Sequence, residues 1–263
     1  MKVIILAAGE GKRLRPLTND KPKCMVKLFG KTLLQHQIDI FQSHNIDDIS
    51  VVTGYKNEMI NFKNIKYFKN NNYNSTNMLE TLFCAEDELK SDVIVSYGDI
   101  IFEESVVQSL INSTDDISVV IDSNWKSYWE QRFINPLDDA ESLTLDNDGF
   151  ITNIGQKVTD SDQICGQFMG LMKFRSDSID VIKDFYKKSK KQSKSGTNIL
   201  NSKLSFENSY MTDFLQGLVN YGCRLKAVKT NNKWLELDTM NDYELYNKMD
   251  TENTLSKFFC INK

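Results

Sequence analysis

Two sets of residues in this chain are of types that manage phosphate charge. The first is a glycine- and base-rich stretch, Leu6-Ala7-Ala8-Gly9-Glu10-Gly11-Lys12-Arg13-Leu14-Arg15-Pro16-Leu17-Thr18, which follows directly on the apolar run Lys2 to Leu6. Backbone amides at such a strand end cradle phosphate oxygens, and Arg13 offers a planar fork that suits them. The stretch is not the Walker loop, G-x-x-x-x-G-K-[ST], nor the dinucleotide fingerprint, whose third glycine is replaced here by Leu14. Lys23, set beside Pro22, adds a second cation that can offset charge developing on a phosphate. The second set is acidic. Asp99 closes the apolar run Val93-Ile94-Val95-Ser96-Tyr97-Gly98, and Asp238 closes Trp234-Leu235-Glu236-Leu237. A magnesium ion favours one or two carboxylates together with phosphate oxygens and water, so Asp99 and Asp238 are its candidate ligands. Glu236, two residues before Asp238, falls on the same strand face.

Composition removes other chemistries. His36 and His44 are the only histidines, which argues against imidazole-built metal sites and histidine triads. Cys24, Cys84, Cys165, Cys223 and Cys260 are widely spaced with no C-x-x-C pair, so they read as free thiols. Lys and Arg number 32 against 36 Asp and Glu, a net charge of -4 that gives no global attraction for nucleic acid or anionic lipid. No apolar run approaches the ~18 residues of a membrane span, and the apolar start is too short for a secretion signal. The expectation is a cytoplasmic protein that grips an anion locally.

The elements that must position these residues alternate. Strand-like runs at Lys2 to Leu6, Ile49 to Thr53, Val93 to Tyr97 and Ile117 to Ile121 are separated by helical patterns at Thr32 to Ser43, Met78 to Leu89 and Glu103 to Ile111. That rhythm predicts an α/β fold with a doubly wound, mostly parallel, Rossmann-like sheet. Ligands of such sheets bind beyond the carboxyl ends of the strands, so the loops after Leu6, Thr53 and Tyr97 should share one crevice. After residue 122 the rhythm changes. Asp146-Asn147-Asp148-Gly149 reads as the turn of a hairpin, and a strand at Gly170 to Phe174, helices at Ser178 to Lys188 and Met211 to Tyr221, a strand at Arg224 to Val228 and a last helix after Met240 follow. The basic, polar stretch 187–196 reads as a frayed helix end and a mobile loop. One domain over 1–263 is expected, with a nucleotide-binding half at 1–122 and an acceptor-binding half at 123–263.

With Lys21-Pro22-Lys23 and Gly30-Lys31-Thr32-Leu33-Leu34 added, the opening segment resembles the L-A-A-G-x-G-x-R-L-x-P-L-T…P-K…G-K-x-L-L signature of the sugar-phosphate nucleotidyltransferase superfamily. The resemblance implies a fold of the nucleotide-diphospho-sugar transferase type. It further implies transfer of a nucleoside monophosphate from a triphosphate to a phosphate acceptor, with Arg13 and Lys23 catalytic and Asp99 and Asp238 holding magnesium. Asn72-Tyr73-Asn74-Ser75-Thr76-Asn77-Met78 looks like the Y-x-x-T-N-M/N segment of the cytidylyltransferase branch, which acts on phosphocholine, 2-aminoethylphosphonate or phosphoglutamine. The same branch carries a stretch similar to Trp125-Lys126-Ser127-Tyr128-Trp129-Glu130-Gln131-Arg132 and its continuation through Asn135-Pro136-Leu137 to Asp139-Ala140-Glu141.

From that likeness the nucleotide is expected against Leu6, Ala7, Ala8, Gly9, Gly11, Lys12, Gly54, Tyr55, Thr76, Asn77, Ser96 and Gly98. The acceptor is expected against Trp125, Arg132, Lys157, Asp213, Trp234 and Glu236. Ring faces and carboxylates both attract ammonium groups, so Trp125 and Trp234 with Asp213, Glu236 and Asp238 would form an amine box. Lys157 would meet the acceptor phosphate and Arg132 a carboxylate. CTP and a small phosphorylated acceptor are the expected partners, nucleic acid and membrane are not, and the resemblance is compatible with a homodimer; family members of this kind feed cell-surface polysaccharides. A sugar-1-phosphate nucleotidyltransferase using UTP, dTTP or GTP is the competing enzyme reading. A nucleotide-binding regulatory domain is the non-enzymatic one, and it need not retain Arg13, Lys23, Asp99 and Asp238 together.

Overall fold

The computed structural model describes residues 1–261. β1 (Lys2–Ala7) is apolar almost throughout and buried along its length. A short hairpin, β2 (Lys27–Leu28) and β3 (Lys31–Thr32), turns into α1 (Leu33–Ser43), whose first turn is capped by Thr32 accepting from the Gln35 backbone N–H. β4 (Ile49–Thr53), β5 (Lys66–Lys69) and α2 (Met78–Phe83) follow. β6 (Val93–Tyr97) and β7 (Ile100–Phe102) are separated by the tight turn that holds Asp99. Next come α3 (Glu104–Asn112), β8 (Ile117–Asp122) and α4 (Trp125–Arg132). β9 (Glu141–Leu145) and β10 (Ile151–Lys157) form the expected hairpin, in which Asp146 accepts from the Asp148 and Phe150 amides and Gly149 takes a φ of 78°. β11 (Gln167–Phe174), α5 (Ser176–Lys194), α6 (Met211–Asn220), β12 (Leu225–Thr230), β13 (Trp234–Glu236) and α7 (Met240–Thr251) complete the chain.

Seven strands make one sheet in the order β12-β8-β11-β6-β1-β4-β5. β1 pairs in parallel with β4 and β6, β4 with β5, and β12 with β8; β11 alone runs antiparallel between β6 and β8. The expected α/β class with a mostly parallel sheet therefore holds. Alternate residues of β1 feed opposite faces: Val3 and Ile5 join the core under α1 and α3, whereas Ile4 and Leu6 join the core under α2, α5 and α6. Outside this sheet, β13 pairs with β7, placing Glu236 opposite Ile100.

The short strands β2, β3 and β7 are not expected from the sequence, and four longer elements also depart from the sequence reading. α2 ends at Phe83 rather than Leu89: the backbone leaves the helical region at Ala85 (φ -108°, ψ 31°), and the short turn Glu86–Glu88 that follows presents Glu88 to Lys2 at 2.5 Å and Lys66 at 3.3 Å. α5 runs on to Lys194 through the stretch expected to fray. Lys187 pairs with Glu86 and Lys190 with Glu80, both at 2.7 Å, and the basic last turn complements the helix dipole. α4 was hidden by its aromatic content: Trp125, Tyr128 and Trp129 at i, i+3 and i+4 make one buried stripe. The edge strand β5 carries no apolar signature, because its Lys-Tyr-Phe-Lys sequence is mostly exposed.

Candidate active site

The loop after β1 turns back on itself at Gly11, whose φ of 65° is the left-handed conformation that glycine takes without strain. A side chain there would also press on Lys23, since an added Cβ would lie 3.0 Å from the lysine Cβ. Thr18 Oγ1 donates to the Gly11 carbonyl at 2.8 Å and pins the loop. Its neighbours Lys12 and Arg13 form a single helical turn with mostly exposed side chains.

Beside this loop the charged groups converge. Lys23 Nζ donates to Asp99 Oδ2 at 2.8 Å and to Asp238 Oδ1 at 2.7 Å, and Arg13 pairs with the other oxygen of Asp238. Residues 76 and 215 positions from Lys23 in sequence thus meet on one ammonium. Burial works against the Lys23 charge, but Asp99 and Asp238 outweigh it and hold its pKa above the ordinary lysine value. Asp238 is correspondingly held below the ordinary carboxylate value: burial opposes this, and Lys23 and Arg13 prevail. Glu236 moves the other way, pushed up to about 7 by burial and by the adjacent Asp99 and Asp238, against the pull of Arg132. Cys24, next to Lys23, is no nucleophile, since burial pushes its thiol up to about 12.

Backbone contacts lock these carboxylates in register. Gly98 N donates to Leu6 O at 2.9 Å, and a Cβ on Gly98 would lie 2.8 Å from that oxygen. Leu237 N donates to Asp99 O at 3.0 Å, which ties the Asp238 loop to the Asp99 turn. Asp238 N and Thr239 N both donate to Asp242 Oδ2, and Arg132 holds Asp242 through Nε at 2.9 Å and Glu236 through Nη1 at 2.8 Å.

The open cleft of about 520 Å³ beside these groups is lined by Gly9, Gly11, Lys12, Arg13, Lys23, Asn77, Asp99, Glu236 and Asp238, with Tyr73, Asn74, Tyr97 and Tyr210 among its other walls. Leu6, Ala7 and Gly98 share a small hollow with Lys23 and Asp99. Ala8 O accepts from Tyr55 N at 3.1 Å, and Gly54 is packed so closely that a Cβ would lie 2.6 Å from the same carbonyl. Asn77 borders the cleft while its side chain caps α2. Tyr210 is shared with a second cavity of about 830 Å³, lined by Glu141, Lys157, Asn201, Lys203 and Asp213. Asp213 accepts from Asn201 Nδ2 at 3.1 Å and Tyr210 N at 2.8 Å. Burial, with Asp139 and Asp213 adding to it, pushes Glu141 up to about 7.

Five expectations are corrected. Trp125 and Trp234 are core residues, 4% and 1% exposed, and Trp234 Nε1 donates to the buried Asp122 at 3.0 Å; they form no amine box. Arg132 has a side chain 1% exposed whose guanidinium is committed to Glu236 and Asp242, so it positions the Asp238 loop instead of meeting a ligand carboxylate. Ser96 lies wholly inside and donates to Gln37. Thr76 turns its hydroxyl to Asn70 and Asn72 and does not line the cleft. Among residues that sequence reasoning missed, Tyr210, Asn201 and Lys203 carried no motif. Asp242 did carry one: Thr239-Met240-Asn241-Asp242 has the spacing of a capping box.

Comparison with known proteins agrees with this architecture. Residues 3–144 match the family described as the MobA-like NTP transferase domain. A CTP:phosphoglutamine cytidylyltransferase of Campylobacter jejuni is 41% identical over 257 residues, covering 93% of this chain and 98% of its own length. A choline-phosphate cytidylyltransferase of Streptococcus pneumoniae is 33% identical, over 43% of this chain and 52% of its own length. Among solved structures, the CTP:phosphocholine cytidylyltransferase of Streptococcus pneumoniae superposes with a TM-score of 0.71 at 20% identity, over 94% of this chain and 98% of its own. The inositol-1-phosphate CTP transferase of T. maritima gives 0.70 at 20% identity, over 98% of each chain. These two likenesses are of fold.

Proposed function

This chain belongs to the MobA-like NTP transferase family, and we propose that it transfers CMP from CTP to the phosphate of a small amino-bearing acceptor, with release of pyrophosphate. The observation that carries the reading is the meeting of Lys23, Arg13, Asp99 and Asp238 at the glycine loop, in a cleft that adjoins a second, mixed-charge cavity across Tyr210. The match to the phosphoglutamine enzyme over nearly both whole chains supports the choice of nucleotide and acceptor.

In this reading an acceptor phosphate oxygen attacks the α-phosphorus in line, the bond to the bridging oxygen breaks, and the electron pair leaves on pyrophosphate. No side chain need become covalently attached. The loop amides around Gly9 and Gly11 bind the triphosphate, Arg13 faces its outer phosphates, and Lys23 offsets charge developing at the α-phosphate. Asp99 and Asp238 would hold magnesium. Asp99 Oδ1 is buried without a partner, and a pair of carboxylates completed by phosphate oxygens and water suits that hard cation. Bound there, the ion would neutralise charge on the phosphates.

The acceptor belongs to the second cavity. In this reading Lys157, which lines that cavity, pairs with an anionic group of the acceptor, and Glu141 and Asp213, on the same walls, take the ammonium role that the tryptophans do not fill. Carboxylates and lysines lining one cavity suit an acceptor that carries an ammonium and a carboxylate besides its phosphate, as a phosphorylated amino acid does, better than one whose phosphate is accompanied by a cation alone. Pyrophosphate release with CTP, UTP, GTP and ATP, each against phosphoglutamine, phosphocholine, 2-aminoethylphosphonate and glucose-1-phosphate, tests the reading. Turnover with CTP and phosphoglutamine is expected; turnover only with the sugar phosphate overturns it.

A further inference from the structure

Gln37 is a buried polar side chain in the middle of α1 that the reaction outlined above does not use. It is wholly excluded from solvent. Its Nε2 donates to Tyr97 O at 2.8 Å and to Ile100 O at 2.7 Å, and its Oε1 accepts from Ser96 Oγ at 2.8 Å. The two carbonyls belong to the residues on either side of Gly98-Asp99, so one amide grips both ends of the turn that presents Asp99. Both N–H groups and the oxygen of the glutamine are satisfied, as a buried amide requires.

The far side of the turn depends on that grip. Gly98 N, which shares a peptide plane with the Tyr97 carbonyl, is tied to Leu6 O, and Asp99 O is tied to Leu237 N; neither contact reaches the Ile100 carbonyl, which Gln37 holds. Ile100 is also the residue that pairs with Glu236, so its orientation sets the frame in which Asp238 follows. A leucine or methionine would fill the same space on the apolar face of α1, leave the buried Ile100 carbonyl without its donor and leave the Tyr97 carbonyl only the Ser96 hydroxyl at 3.3 Å.

We propose that Gln37 is a positioning residue for Asp99, fixing through the Tyr97 and Ile100 carbonyls the orientation in which Asp99 meets a divalent cation. The proposal rests on the reading of Asp99 as a metal ligand. It acts as an outer-layer partner does at other metal sites, where loss of such a group costs about tenfold to hundredfold in metal affinity.

The test uses Mn²⁺ as the probe, with its binding to the CTP-saturated full-length protein followed by electron paramagnetic resonance alongside pyrophosphate release and thermal melting. Gln37→Leu is expected to weaken Mn²⁺ by about tenfold or more and to lower kcat while the acceptor KM holds. Val107→Ala in α3 serves as a control that lowers the melting temperature without touching the turn, and its Mn²⁺ affinity should match the unaltered protein. Ser96→Ala, which removes the hydroxyl that orients the amide and also lies 3.3 Å from the Tyr97 carbonyl, should shift Mn²⁺ affinity the same way by about threefold, and decides the matter if Gln37→Leu does not fold. Unchanged Mn²⁺ affinity in the folded variants overturns the positioning role alone. Failure of the unaltered protein to bind Mn²⁺ with CTP overturns that role together with the metal reading.

Discussion

The phosphate-gripping cleft and the acceptor cavity are built in different ways. The cleft draws its charged groups from the loop between β1 and β2, from the β6–β7 turn and from the end of β13, and pairs Lys23 with Asp99 and Asp238 within 2.8 Å. The cavity is walled by residues 197–204 between α5 and α6, by the end of the β9–β10 hairpin and by the first turn of α6. The family match ends at residue 144, so it takes in Arg13, Lys23 and Asp99 of the cleft but neither its Asp238 nor most of the cavity wall. On the proposed reading, the charge-handling chemistry sits at strand ends and on the turns of the loop after β1, all packed against the core, whereas selection of the acceptor sits on loops, where a change of residue costs little stability.

The largest effect that sharpens this contrast is Lys23→Ala, expected to lower turnover by about 10³-fold in a pyrophosphate-release assay. Lys157→Ala should raise the acceptor KM by about 10- to 100-fold and leave the CTP KM unchanged; a parallel rise in both would mean the two regions are not separate. Trp234→Phe removes the bond to Asp122 and should cost about 1–3 kcal/mol in chemical denaturation, with acceptor preference unaltered. A changed preference would return the tryptophan to the site.

The smallest effect is one of pH. Glu141, raised to about 7, is protonated in neutral solution to a degree an exposed glutamate would not be, so acceptor KM should fall as pH rises through about 7. The same shift means that the folded chain binds a proton the unfolded chain would release. Its contribution to stability is complete below the ordinary value of 4.5 and is lost as pH rises through about 7. Glu141→Gln should flatten both profiles, as read by steady-state kinetics and by melting temperatures across pH.

The cleft was legible in the sequence because its parts are local: a glycine loop directly after a strand, a lysine beside a proline, single aspartates closing apolar runs. Periodicity likewise located the strands of the main sheet apart from the exposed edge strand β5. What stayed hidden depends on long-range packing. Tryptophans suit an amine box and a core equally well, and only the assembled layers show that Trp234 packs on Tyr128 with its N–H on Asp122. Arg132 reads as a free cation until Glu236 and Asp242, 104 and 110 residues away, are seen to hold it. The wall at 197–204 has no periodicity to reveal it, and Gln37 reads as one more polar residue in an amphipathic helix.

The central claim, direct transfer of CMP between cleft and cavity, is tested by exchange of labelled pyrophosphate into CTP. The account predicts no exchange with enzyme and CTP alone, and exchange once phosphoglutamine is added, because the nucleotide leaves CTP only for the acceptor. Exchange without any acceptor would reveal a covalent nucleotidyl-enzyme and contradict the mechanism drawn from Lys23, Asp99 and Asp238.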